Sequence, residues 1–220
     1  VGVGAVTTAA IQSSSATTVM VIGFVNAGIM TLAQAATVIF GANIGTTITG
    51  QLVAIGLFGE NSVSTSVIFS ALAGVGAFIL AFAKKDTPRR VGGILAGFGM
   101  LFVGLSMMSG AMGYFSELEQ MKNFLALFKN HFLLVLIGAL FTALVQSSSV
   151  TTSMAITMVV SGLISLDQGI YLTMGSNVGT CVTALIAGLT STKNAQRTAF
   201  IHLIFNVSGV AVFMLIGMFL

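Results

Sequence analysis

The sequence predicts an all-α integral membrane protein made of two related halves. Hydrophobic residues make up 56% of the 220 residues and charged residues only 6%, whereas soluble domains carry about 25% charged residues. A chain of this composition cannot cover its surface with charged side chains, which excludes a soluble protein. No stretch alternates apolar and polar residues as a membrane β-barrel requires. The net charge of +3 is too small to indicate nucleic-acid binding.

An internal repeat organises the chain. Residues 1–54 align without a gap with residues 135–188, with 22 identities among the 54 pairs. Both copies carry Gln-Ser-Ser-Ser, at 12–15 and 146–149, followed by Gly-X-Asn-X-Gly-Thr at 41–46 and 175–180. A duplication of this length is typical of membrane transporters built from two structural repeats.

The first copy begins with two short apolar runs within 3–27 that meet at Gln12–Ser15. Each run is shorter than the roughly 20 residues needed to cross a bilayer, which predicts a re-entrant helical hairpin with the polar motif at its tip. Residues 31–58 are long enough to span, but the sequence Gly-Ala-Asn-Ile-Gly-Thr-Thr at 41–47 predicts an unwound, discontinuous helix. A turn at 59–62 and a span at 63–83 complete this repeat, 1–83, before which we expect a further helix.

The second repeat has the same order of elements. A basic loop at 84–90 separates it from the first repeat. The repeat, 91–220, then contains a span at 91–113, an amphipathic interfacial connector at 115–130, a second re-entrant hairpin at 131–163, a second discontinuous helix at 167–190, a polar loop at 191–197 and a last span at 198–220.

The charges predict the orientation in the cell membrane. When the crossings are followed from the first hairpin, the loops 84–90 and 191–197 fall on one side and carry six of the eight basic residues. The positive-inside rule makes this side cytoplasmic and places the C-terminus outside. The second hairpin then enters from the opposite side, so the two repeats are inverted and the fold is that of an inverted-repeat transporter.

The paired polar motifs predict a binding site. Serine hydroxyls in membrane helices often only bond back to the helix backbone, but the recurrence of the motifs in both copies favours ligand binding. Helix N-termini and hydroxyl or amide donors suit an anion, while neutral Gln, Ser and Thr oxygens suit sodium. No charged residue lies inside a predicted span, and Asp167 sits at a span boundary, so a bound anion would be poorly compensated without a cation. The sequence shows no nucleophile–base pair and no transition-metal cluster, which argues against an enzyme.

The doubled Gln-Ser-Ser-Ser motif with Gly-Ala-Asn-Ile-Gly-Thr-Thr at 41–47, and its counterpart at 175–181, resembles the type II sodium–phosphate cotransporter family, in a minimal prokaryotic form. The resemblance implies sodium-coupled uptake of inorganic phosphate by alternating access in a lipid bilayer. It leaves the oligomeric state open between a monomer and a homodimer. By motif position it assigns phosphate contacts to Gln12, Ser13, Ser14, Asn43, Ser147 and Asn177. It assigns sodium ligands to Gln146, Ser148, Thr180 and Thr183, with Thr46 and Thr49 as pseudo-symmetric counterparts.

Departures from the family pattern leave alternatives. Some members carry an aspartate where this chain reads Val-Ile-Phe-Ser-Ala at 67–71, and its absence favours an electroneutral cycle. The same scaffold also suits a sodium-coupled carrier of another oxyanion or a small carboxylate. An anion channel or a structural membrane subunit would be a different class; a channel predicts uptake that neither saturates nor needs a sodium gradient.

Overall fold

The structure, a computed structural model, describes residues 1–58 and 62–219, and this part of the chain is helical without strands. Residues 59–61 of the predicted turn lie outside the described residues. The helices are α1 (Gly2–Ile11), α2 (Ser14–Asn26), α3 (Leu32–Phe58), α4 (Ser62–Phe82), α5 (Asp86–Glu117), α6 (Glu119–Ala126), α7 (His131–Val145), α8 (Ser148–Val160), α9 (Leu166–Gly188) and α10 (Lys193–Phe219).

Helix length divides the described elements into two groups. The segments Leu32–Gly56, Asp86–Glu117, Leu166–Gly188 and Lys193–Gly217 are long and apolar enough to cross a membrane, which supports the predicted membrane protein. By contrast α1, α2, α7 and α8 have only 10 to 15 residues. At about 1.5 Å per residue they reach roughly 15–22 Å, short of a hydrocarbon core about 30 Å thick.

The chain folds back on itself at each Gln-Ser-Ser-Ser motif. Thr8 on α1 donates from its Oγ1 to Thr17 Oγ1 on α2 over 2.9 Å, although the two residues are nine apart in sequence. In a straight helix nine residues would separate them by about 13 Å. The same pairing recurs between α7 and α8, where Thr142 and Thr151 hydroxyls lie 2.7 Å apart.

The predicted discontinuous helices are wrong, because α3 and α9 run without interruption through 41–47 and 175–180. Their glycines allow close helix packing instead of unwinding. A Cβ at Gly41 would overlap the Val1 carbonyl of α1's N-cap, and one at Gly45 would overlap the Ala5 carbonyl. In the second copy Gly175 and Gly179 meet the α7 backbone in the same way. Small residues at such contacts let membrane helices approach closely.

Two predicted loops are shorter in the structure than in the sequence analysis. The basic segment 84–90 becomes helical at Asp86, so Arg89 and Arg90 lie in the first turns of α5. The polar segment 191–197 becomes helical at Lys193. Charged residues continue a helix into the aqueous boundary without needing a loop, and hydropathy alone therefore places the helix start too late.

Four helices form a closed ring around the repeated motifs. Going around it, α3 packs on α2, α2 on α9, α9 on α8 and α8 back on α3. Each motif-bearing short helix therefore lies between the long helices of both copies. Outside the ring α1 packs on α3 and α7 on α9, while α10 covers α2, α3 and α9. Helix α5 packs mainly along α4 and also contacts α8.

Candidate functional site

Both tips are built on a glutamine in an unusual backbone conformation. Gln12 and Gln146 have φ of 58° and 60°, and within the described residues they are the non-glycine residues with positive φ. Each ends the short helix before it, and its N–H bonds to the carbonyl of Thr8 or Thr142 over 2.7 Å. Glycine is usual at this position, because a side chain in the left-handed region costs about 1–2 kcal/mol. Strain retained at both tips points to a role for the glutamine side chain.

The glutamine side chains connect each tip to the long helix of its own copy. Thr49 on α3 donates to Gln12 Oε1 over 2.7 Å, and Thr183 on α9 donates to Gln146 Oε1 over 2.5 Å. The side-chain amide nitrogens bond back to the carbonyls of Ala9 and Ala143. The predicted residues Gln12, Thr49, Gln146 and Thr183 are thus brought together in two matching contacts, which we call the Gln–Thr contacts.

The first serine of each motif caps a helix, and the next two expose donors. Ser13 Oγ accepts from Ala16 N over 3.1 Å and caps α2, while Ser147 Oγ accepts from Val150 N over 3.4 Å and caps α8. The N–H groups of the first two residues of a helix have no intrahelical carbonyl to bond to. Each tip therefore presents two backbone donors at the positive end of a helix dipole, beside the buried side chain of Ser14 or Ser148.

The remaining predicted residues lie along α3 and α9. Asn43 donates to the Ile39 carbonyl over 3.2 Å and is half-buried, whereas Asn177 is exposed. Thr46 and Thr180 bond back to the carbonyls four residues earlier, over 3.0 and 2.9 Å. Their hydroxyl oxygens keep lone pairs free for a cation, because the hydroxyl hydrogen is already used.

Sequence reasoning missed the threonines below the tips. Thr8 with Thr17, and Thr142 with Thr151, form the buried bonds that hold each helix pair together. Their signal was present in the sequence, since all four positions are identical between the copies. Thr18 Oγ1 is also buried beside the first tip and has no hydrogen-bond partner among the described residues. An unpaired buried hydroxyl costs free energy.

Two equivalent clefts beside the ring are filled differently. Beside α2 and α3, Ile22 and Ile39 are buried against Ala195 and Ala199 of α10. The end of α2 is also bonded to the residue before α10, since Thr192 N donates to Asn26 Oδ1 over 2.8 Å. At the equivalent place beside α8 and α9 lies a cavity of about 350 Å³, lined by Ile156 and Thr173 and reaching Asn177.

Comparison with known proteins identifies the family of this chain. The sequence profile of the Na+/Pi-cotransporter family matches residues 1–110 and 116–220. This chain belongs to the Na+/Pi-cotransporter family. The family consists of transporters and not of enzymes.

Relatives of this Na+/Pi-cotransporter family member come from bacteria and animals. YqeW of Bacillus subtilis, which is uncharacterized, is 33% identical over 205 residues, covering 93% of this chain and 64% of YqeW. YjbB of Escherichia coli K12, provisionally named an inorganic phosphate export protein, is 27% identical over 92% of this chain and 36% of its own length. Human sodium-dependent phosphate transport protein 2B is 43% identical over 83 residues, 36% of this chain and 12% of the human protein.

The chain thus spans less than two thirds of the length of these relatives. No solved structure matches this family member.

Replacing Gln12 by glycine is expected to leave the stability of the protein almost unchanged while abolishing transport. The glycine relieves about 1 kcal/mol of backbone strain, and the lost bond from Thr49 costs a similar 0.5–1.5 kcal/mol. The free energy of unfolding, measured by chemical denaturation in detergent, should therefore change by less than about 1 kcal/mol. Ligand transport should be lost, and the same should hold for Gln146→Gly. A variant that unfolds readily, or one that still transports, would contradict this role.

Proposed function

We propose that the chain carries out sodium-coupled uptake of inorganic phosphate by alternating access. The observation that carries this proposal is the ring in which two capped helix N-termini, at Ser13 and Ser147, lie among the long helices of both copies. Each N-terminus offers backbone donors, and such ends are anion sites. Membership of the Na+/Pi-cotransporter family supports phosphate as that anion.

Phosphate would lie between the two tips. Its oxygens would accept from the free N–H groups of α2 and α8 and from the buried hydroxyl of Ser14, with Asn43 and Asn177 donating from the long helices. The side chains of Gln12 and Ser13, directly before α2, and of Ser147, directly before α8, would complete the shell. Hydrogen bonds to a charged group are worth roughly 1.5–3 kcal/mol each.

Sodium would bind where neutral oxygens converge. Gln146 and Thr183 already meet, and Ser148 and Thr180 lie on the neighbouring first turn of α8 and on α9. The matching oxygens of Thr46 and Thr49 are the counterparts in the first copy. Helices α2, α3 and α8 carry no charged residue. A desolvated phosphate without a nearby cation would be strongly disfavoured, so its binding would be coupled to that of sodium.

The inequivalent clefts support alternating access between inverted repeats. Asn26 and Thr192 meet at the end of the molecule that the charges assign to the cytoplasm, and the filled cleft lies there. The open cleft begins near Leu166, at the opposite end, and leads to Asn177. We therefore assign the structure to an outward-facing state, with both short helix pairs as re-entrant hairpins. The opposite state would close the cleft of α8–α9 and open that of α2–α3.

Radiolabelled phosphate uptake into proteoliposomes tests the proposal. An inward sodium gradient should drive saturable accumulation, and a matched potassium gradient should not. Uptake of sulfate or succinate in place of phosphate would keep the fold and replace the substrate. Uptake that neither saturates nor needs sodium would show a channel. Vesicles loaded with phosphate under an outward sodium gradient test the opposite direction, which the name of YjbB suggests for that protein.

Cysteine labelling should distinguish the two clefts. The chain's single cysteine, Cys181, is fully buried, so an introduced thiol is the accessible one. We expect Thr173→Cys, in the open cleft, to react with a membrane-impermeant maleimide added from outside. Ile39→Cys occupies the equivalent position in the filled cleft. In a buffer that contains sodium and no phosphate, it should not react with maleimide added from either side of the membrane. Equal labelling of both variants would contradict the assigned state.

A further inference from the structure

An apolar cavity of about 230 Å³ lies between α6, α7, α8 and α9, beside the open cleft, with Ala155 of α8 lining both. Its lining includes Phe124 on α6, Phe128 just after α6, Phe141 on α7 and Met154 on α8. It extends inward to Thr151, whose hydroxyl joins α8 to α7 below the second tip. The cavity therefore occupies the space between the two arms of the second helix pair.

The cavity offers no free hydrogen-bonding side chain. Among its lining residues only Thr151 and Gln168 have polar side chains. The Thr151 hydroxyl is already bonded to Thr142 and to the Ser147 carbonyl. Gln168 donates to the carbonyls of Leu125 and Phe128 over 3.1 and 3.2 Å and accepts from Ser165 N over 2.9 Å. A buried water needs two to four polar partners, and apolar cavities of about 150 Å³ stay dry and take up apolar molecules.

A polar recess adjoins the cavity and carries both signs of charge. Lys129, Ser165 and Asp167 line it, and Gln168 lines both the recess and the cavity. Asp167 Oδ2 lies 3.1 Å from His131 Nε2 and stays largely exposed. Lys129 is exposed at the same edge. The recess thus presents a cation and an anion beside an apolar opening, at the end of the amphipathic helix α6.

We propose that this site binds one phospholipid whose headgroup carries a phosphate and a primary ammonium, as in phosphatidylethanolamine. One acyl chain fills the cavity between α7 and α8, the phosphate pairs with Lys129, and the ammonium donates to Asp167. A purely anionic headgroup would meet the Asp167 carboxylate, and a choline headgroup has no N–H to donate. The bound acyl chain packs between α7 and α8 and stabilises this second helix pair, whose tip carries Gln146 to Ser149.

Lipid retention by matched tryptophan variants tests the cavity. Met154→Trp fills the space between the arms, whereas Met20→Trp changes the equivalent residue of the first copy, outside this cavity. The whole chain is purified in mild detergent, checked for a monodisperse helical state, and extracted for phospholipid analysis. We expect about one phosphatidylethanolamine per chain in the unchanged protein and in Met20→Trp, and near-complete loss in Met154→Trp. Equal retention in both variants, or none in the unchanged protein, overturns the site.

Fluorescence quenching tests the headgroup. The sequence has no tryptophan, so Phe124→Trp at the cavity mouth provides a single reporter. In detergent, phosphatidylethanolamine with brominated chains should quench the tryptophan fluorescence at a lower concentration than brominated phosphatidylcholine does. Adding Lys129→Ala should weaken the phosphatidylethanolamine effect roughly tenfold, as expected for losing one charged hydrogen bond, and Lys193→Ala should not. Equal quenching by both lipids would overturn the headgroup assignment.

Discussion

Replacing Ser14 or Ser148 by alanine is expected to abolish sodium-dependent phosphate uptake while leaving the protein folded. Both side chains are buried, at 7% and 6% exposure, and they occupy the first turns of α2 and α8. The helix caps are the preceding serines, Ser13 and Ser147, so the caps remain. In the proposed site, losing a hydroxyl that bonds a charged ligand costs roughly 1.5–3 kcal/mol, or about 10- to 100-fold in affinity.

The matched controls are Ser15→Ala and Ser149→Ala, the third serines of the same motifs. They introduce the same chemical change one position further along each helix, outside the set assigned to phosphate or sodium. Their uptake should stay close to that of the unchanged protein. Thermal unfolding in detergent reports the fold of all four variants. Retained transport in both Ser14→Ala and Ser148→Ala, with the fold intact, would refute a site shared by the two tips.

Replacing Gly45 by alanine is expected to destabilise the protein strongly. A Cβ at this position would overlap the Ala5 carbonyl of α1 and come within 2.8 Å of Thr8 Cβ. Because α1 packs mainly on α3, the helix would have to move away as a whole. Overpacking of this kind typically costs 1–3 kcal/mol, and backbone atoms cannot yield as a flexible side chain can. Transport should fall as well, since Thr8 bonds α1 to α2 below the first tip.

Gly50→Ala, on the same helix, is the control. Its Cβ would meet Thr152 Cγ2 at 3.9 Å, an ordinary contact, and the second copy already carries Ala184 there. Alanine in place of a helical glycine should gain about 0.5–1 kcal/mol. Denaturant unfolding with a helix signal separates the two variants. If Gly45→Ala proved as stable as Gly50→Ala, close packing would not explain the glycines of α3.

Local patterns predicted the helix pairs and their tips. A run of four polar residues between short apolar stretches placed the tips at 12–15 and 146–149, and the structure has its helix breaks within these motifs, because the signal lies in the turn itself. The continuous α3 was not predictable in this way. Gly41 and Gly45 are poor helix formers in isolation, but their role depends on Val1 and Ala5, which lie about forty residues away in sequence. A tertiary partner overrides propensity there.

The site was predicted as a set of residues but not as an arrangement. The Gln–Thr contacts join positions 37 residues apart, and no spacing rule identifies them. The unequal clefts are less accessible still to sequence reasoning, because the residues that fill the first of them, Ala195 and Ala199, come from α10, far along the chain from α2 and α3. Such a tertiary contact leaves no local pattern in the sequence.

The alternating ring of α2, α9, α8 and α3 has a consequence for synthesis in the cell. The first tip leaves the ribosome long before α9, the second long helix against which α2 packs. Until residues 166–219 follow, α2 lacks its contacts with α9 and α10. The amino-terminal half should therefore insert early but complete its packing late, and it should be the more sensitive half to membrane chaperones and quality-control proteases. Halves expressed separately should be degraded alone and rescued together.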